Sequence, residues 1–137
     1  MNSSHNKERV CQMLAEIFEA RNYDAIDEMI APAFVDHEDI ANPRGREHLK
    51  PYFAALHTAF PDLTHTVESS IAEGDHVALR SIWRGTQTGE FMGMPPSGKK
   101  VCVEGMTFWR VKDGKVVDRW ALLDRPTLMQ QLQAPTT

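Results

Sequence analysis

The sequence predicts a single α+β domain, with helices grouped in its first half and antiparallel strands grouped after them, so that the helices cover one face of a bent sheet. Three observations carry this reading. Apolar residues recur at helical spacing through the first part of the chain and alternate with period two from Leu63 onward. Lys112-Asp113-Gly114-Lys115 separates two alternating runs with a strong hairpin signal. At 137 residues, with 42% hydrophobic against 25% charged residues, the chain is one domain long and apolar enough to bury a core.

Each element has its own justification. Val10, Met13, Leu14, Ile17 and Phe18 fall at i, i+3, i+4, i+7 and i+8, one stripe of a first helix over roughly residues 5–21. Asp24 can cap a short second helix with Ile26, Met29 and Ile30 facing inward and Pro32 closing it; Phe34-Val35-Asp36-His37 then reads as a brief extended piece. Leu49, Tyr52, Phe53, Leu56 and Phe60 mark a third helical stripe ended by Pro61, with Pro51 either kinking it or sitting near its first turn. Leu63, His65, Val67, Ser69 and Ile71 alternate with polar residues as a half-buried strand, and Glu73-Gly74-Asp75 turns it into a second strand through Val77, Leu79 and Trp83. A Gly/Pro-rich excursion runs from Gly85 to Gly98, where Met92 and Met94 beside Gly89 and Gly93 suit an adaptable flap. Two strands over residues 99–111 and 115–124 and a helix from Pro126 to Leu132 complete the chain. Between the layers a concave, mostly apolar space is the default binding site.

Several function classes are excluded. A net charge of −4 without a basic run lacks the footprint of a nucleic-acid binder. The start, MNSSHNKERV, has no signal-peptide core, and no apolar stretch approaches the roughly 18 residues of a spanning helix, which predicts a cytoplasmic protein with no membrane partner. Cys11 and Cys102 are far apart and read as ordinary buried thiols. His37, Glu38 and Asp39 are sequential and cannot converge on one metal ion. Gly93 to Lys100 resembles a phosphate loop in spacing, but Pro95 and Pro96 remove N–H donors and a strand follows where a helix is needed. Neither a G-x-S-x-G elbow nor a dinucleotide fingerprint occurs.

Asp124 is the first candidate for chemistry. It ends the last strand on the stripe of Trp120 and Leu122, where a desolvated carboxyl has a raised pKa and suits general base catalysis; equally, it can cap the C-terminal helix, since Arg125-Pro126-Thr127 follows. Hairpin register decides its neighbours. A two-residue turn gives Asp124 and Trp120 the companions Val103, Gly105 and Thr107, whereas a bulged loop gives Cys102, Glu104, Met106 and Phe108 and sets Glu104 near Asp124. His37 is a candidate donor or proton shuttle, and His65, alternating with Leu63 and Val67, is either a pocket residue or a satisfied core histidine. Histidines 5, 48, 57 and 76 read as solvent-facing. Trp83, Trp109, Trp120, Phe91 and Phe108 supply core, dimer contact or a wall for a flat ligand.

Phe34-Val35-Asp36-His37, Ala59-Phe60-Pro61-Asp62, Gly74 to Ala78, Gly85 to Phe91, Pro95 to Lys99, Asp113 to Val116, Trp120 to Asp124 and Leu128 to Leu132, in this order, resemble the SnoaL-like polyketide cyclases. The resemblance covers about residues 8 to 133 and implies a conical barrel of the nuclear-transport-factor-2-like superfamily, a homodimer, and no metal or organic cofactor. It also implies an intramolecular aldol condensation in a small apolar or aromatic substrate, with an aspartate as acid/base at the position of Asp124 and a pocket-facing His37. Read from the residues themselves, with the bulged register supplying Glu104, Met106 and Phe108, the expected substrate pocket is Trp120, Glu104, Met106, Phe108, His65, Phe53 and Phe34. The same superfamily hosts epoxide hydrolases and isomerases, which would need Arg80, Arg84 or Arg119 and a second carboxylate at Asp124, as well as plain binding modules.

Overall fold

The structure, a computed structural model, describes residues 3–133. In chain order it holds α1 (Ser3–Phe18), α2 (Asp24–Met29), β1 (Ile30–Asp36), β2 (Arg44–Gly45), a 3-10 turn at Arg46–His48, α3 (Leu49–Ala59), β3 (Thr64–Glu73), β4 (His76–Thr86), β5 (Lys100–Lys112), β6 (Lys115–Leu123) and α4 (Arg125–Gln133). Pro51 is the third residue of α3, where its missing N–H costs no helical bond. Pro32 does not close α2. The chain turns extended at Ile30, and Pro32 lies inside β1, where the register with β6 slips between Ile30 and Val35.

One six-stranded sheet runs β2-β1-β6-β5-β4-β3. It is bent but does not close into a barrel, and β1 and β6 pair in parallel while every other pairing is antiparallel. A parallel neighbour needs a long crossover, and here the chain from β2 to β5 supplies it. Helices α1 to α3 fill the concave side, where Met13, Ile17, Phe18, Phe53 and Leu56 join Val77, Leu79, Trp83, Val103 and Trp109 in one core.

Two bulges decide which side chains face that core. In β3, Val67 pairs with Ser81 and Ser69 with Arg80, so Glu68 is extra. Period two then restarts: His65 and Val67 face inward, but Ile71 turns outward and is exposed. The β5–β6 turn at Asp113-Gly114 has two residues, both with positive φ, as a type I′ turn requires. Beyond it, Val111 pairs with Val116 and Arg110 with Asp118, leaving Val117 as the extra residue. A tight turn therefore delivers the shifted register, with Phe108 opposite Trp120 and Met106 opposite Leu122.

The excursion after β4 is fastened by one buried side chain. Gln87 Nε2 donates to the carbonyls of Gly89 and Pro95 at 3.1 and 3.2 Å, with that of Met94 at 3.4 Å, while its Oε1 accepts from Ser97 Oγ at 2.7 Å. Cys102 is exposed on β5 rather than buried, because it falls on the outward phase of the strand; Cys11 is half-buried.

Candidate active site

On the concave face, alternation along β1 turns Phe34 and Asp36 inward, and Glu38 follows in the same phase. The Val117 bulge puts Arg119, Ala121 and Leu123 on that side of β6. From β3 and β4 come His65 and Trp83, paired across the strands, and from α3 come Tyr52, Phe53 and Leu56. Of these, Asp36, Glu38, Tyr52, Leu56, Trp83, Ala121 and Leu123 line a cavity of about 830 Å³, inside the usual range for ligand sites. It leads to a niche of about 40 Å³ that shares Glu38, Tyr52 and Trp83 with it and is walled by Phe18, Phe53, His65, Thr107, Trp109 and Arg119.

The polar floor is a buried charge network. Arg119 Nη1 donates to both carboxylate oxygens of Asp36 at 3.1 and 2.9 Å, and its Nη2 lies 3.7 Å from Glu38. The guanidinium sits against the rings of Tyr52 and Trp109, 5.8 and 5.6 Å from their centres. Burial pushes the Asp36 carboxyl upward, but the His48 bond, the Arg119 charge and the Glu38 amide outweigh it and hold Asp36 below its ordinary value. Asp36 is thus an acceptor-only carboxylate, and His48 Nε2, 2.8 Å from it, must be the donor. In the neutral imidazole this bond leaves the lone pair on Nδ1, which has no hydrogen-bond partner among the described residues and belongs to a side chain that lines the cavity. Burial, aided by the Arg119 charge, depresses His65 to about 4, so it is neutral near pH 7 and stacks on Phe18 at 4.3 Å. Burial raises the Tyr52 hydroxyl against the pull of Arg119, which keeps it a neutral donor.

The residues expected from sequence divide between the two faces. His65 and Phe53 line the niche, and Phe34 is buried in the core on the phase of Asp36. Trp120, Glu104, Met106 and Phe108 lie on the convex face instead, as a correction to the expected pocket: Glu104 pairs with Arg80 at 2.8 Å, Met106 and Phe108 are exposed, and Trp120 packs edge-on against Phe108. His37 is one residue out of phase with Asp36, so it too faces outward, bonded to Asp118 at 2.8 Å and stacked on Trp120. The desolvated carboxyl expected at Asp124 is not found. Its carboxylate is exposed and caps α4, accepting from Thr127 Oγ1 at 2.7 Å and Thr127 N at 3.2 Å, bonds that lower its pKa. No arginine pairs with Asp124 among the described residues; the arginine held between two carboxylates is Arg119, at Asp36 and Glu38. Among the described residues no group of three His, Cys, Asp or Glu could hold a metal ion.

His48 and His57 are not solvent-facing as expected. His48 lines the cavity, and His57 is buried against the Tyr23 hydroxyl with its pKa pushed down by burial. Sequence reasoning missed Asp36, Glu38, His48 and Tyr52 as site residues. For Asp36 a signal existed, since period two from the apolar Phe34 puts it on the same face.

A helix-covered, bent sheet with a polar network at the bottom of an apolar cavity defines the nuclear-transport-factor-2-like class of small α+β proteins. Within that class, the chain belongs to the SnoaL-like polyketide cyclase family, whose model matches residues 8–132. It is similar to the structure of AclR, a candidate hydroxylase from Streptomyces galilaeus, at 29% identity and a TM-score of 0.86 over 98% of this chain and 85% of that one. It is also similar to IdmH, a candidate polyketide cyclase from Streptomyces antibioticus, at 33% identity and a TM-score of 0.81 over 93% and 97% of the two chains. A candidate SnoaL-like cyclase from Jannaschia matches at 27% identity and a TM-score of 0.83 over 98% and 95%. No curated protein sequence matches the chain. Among the described residues no helix is long and apolar enough to cross a membrane.

Proposed function

We propose that the protein closes a ring in an apolar polycyclic substrate by acid/base-catalysed intramolecular aldol condensation, without a cofactor, in the cavity beneath α3. The observation that carries this reading is the His48–Asp36 pair on the cavity wall. A carbon flanked by carbonyls is acidic enough for one positioned base. His48 Nδ1 takes that proton, and the enolate carbon attacks a second carbonyl carbon of the same molecule. The new C–C bond forms as the C=O π pair moves onto oxygen, and the alkoxide takes the proton back from His48. Asp36 holds the imidazole in the right tautomer and steadies the transient imidazolium.

The resemblance assigns this role to Asp124, while burial and the bond to Asp36 favour His48. Turnover of a panel of flat polycyclic ketoesters tests the assignment. His48→Asn and Asp36→Asn should bind ligand and lose turnover, whereas Asp124→Asn and His37→Ala should keep it; turnover lost in Asp124→Asn and kept in His48→Asn would return the role to Asp124. A second reading, opening of an epoxide by water, draws on Arg119 between Asp36 and Glu38, and small epoxides belong in the same panel.

The family reading also brings a homodimer, for which the support is the exposed apolar convex face of Ile71, Met106, Phe108 and Leu122. Light scattering on the purified protein reads its mass directly.

A further inference from the structure

We infer that the niche at the inner end of the cavity is a subsite for a neutral acceptor oxygen, a ketone or ester carbonyl, with the Arg119 Nε–H as its donor. This rests on the reading of the cavity as the site of carbonyl chemistry and names the group that reads the substrate.

Size comes first. At about 40 Å³ the niche exceeds the roughly 10–15 Å³ that one water needs, and it falls far below the roughly 150 Å³ of a cavity that holds benzene. It admits the tip of a substituent while the rings stay in the larger space. Chemistry comes next. Arg119 spends Nη1 on Asp36 and directs Nη2 toward Glu38, with the Tyr52 hydroxyl a further partner of the guanidinium, yet its Nε is buried with no hydrogen bond of its own. An orphaned donor on a buried cation is costly, so a built site supplies its acceptor when loaded. The ring nitrogens of His65 on the same wall also have no hydrogen-bond partner among the described residues. Charge then selects the ligand. Arg119 is already matched by Asp36, and Glu38 lies between Arg119 and Arg125, so the network offers no unpaired cation to a carboxylate and admits a neutral carbonyl. As an enolate forms, charge develops on that oxygen beside a donor already in place.

The test is a matched pair, 2-acetylnaphthalene and 2-ethylnaphthalene, which differ in shape little and in the acceptor oxygen entirely. The wild type should bind the ketone about tenfold more tightly or better, as a hydrogen bond to a charged donor allows, and the ketone alone should shift one arginine Nε–H resonance in a ¹⁵N spectrum. Arg119→Lys should reduce the preference. Where that variant does not fold, His65→Phe, which fills the niche, should abolish the preference by shutting both substituents out while the rings of either compound still bind in the larger space. Equal affinity of wild type for both compounds, with no arginine resonance moved, overturns the proposal and leaves the niche to water. Because the assay reads binding only, a ketone preference without turnover of any ketoester would instead count against the cyclase reading.

Discussion

On the concave face of the sheet, Asp36 and Arg119 keep only 2% and 6% of their surface, whereas on the convex face Leu122 and Ile71 keep 79% and 69% of theirs. Burial normally sorts residues the other way. Charge held inside at that cost needs partners, which Asp36 and Arg119 give each other while the Arg119 Nε is left open beside a cavity; apolar surface left outside in one patch points to a partner. The two faces therefore teach the same lesson from opposite sides: where function is built, polarity and burial part company.

The largest expected effect breaks the inner face. Arg119→Met takes the guanidinium from Asp36, leaving it only His48 and the Glu38 amide, and should cost about 3–5 kcal/mol in urea unfolding, with the double variant Asp36→Asn, Arg119→Met recovering much of it. Acid separates the faces next. His65 has a folded pKa of about 4 against an ordinary 6.5, so the unfolded chain binds its proton first and stability is lost as pH falls from 6.5 toward 4. That loss should reach about 3 kcal/mol at pH 4 and be largely absent in His65→Phe. His57, depressed the same way, adds to this window, while the lowered Asp36 and Asp118 contribute only below the ordinary carboxylate range. The outer face should respond in mass rather than in stability. Leu122→Glu should convert a dimer to a monomer in light scattering while moving monomer stability by no more than about 0.5 kcal/mol. Smallest of all, Asp124→Asn should leave the melting temperature almost unchanged, since asparagine also caps helices.

Most of the fold was legible because long elements announce themselves. The stripe from Val10 to Phe18 gave α1, and Asp113-Gly114 marked its hairpin correctly. The site was less legible, for two physical reasons. Bulges at Glu68 and Val117 carry no residue signature, yet each reverses the phase of the strand beyond it, so unbroken alternation puts Ile71 and Trp120 on the wrong side. The apolar stripe of Trp120 and Leu122 also predicts an inward face, while the inward residue of β6 is the charged Arg119. His48 and Asp36 lie twelve positions apart and meet only through the 3-10 turn before α3.

The Gln87 clasp has a consequence for how this scaffold diversifies. It grips the backbone carbonyls of Gly89, Met94 and Pro95, not the side chains between them, so the loop keeps its attachment whatever stands at Glu90 and Met92, both at the cavity mouth. Substitutions there can change which molecules enter without disturbing the anchorage that keeps the entrance in place, and a new specificity can be explored one residue at a time on an intact fold.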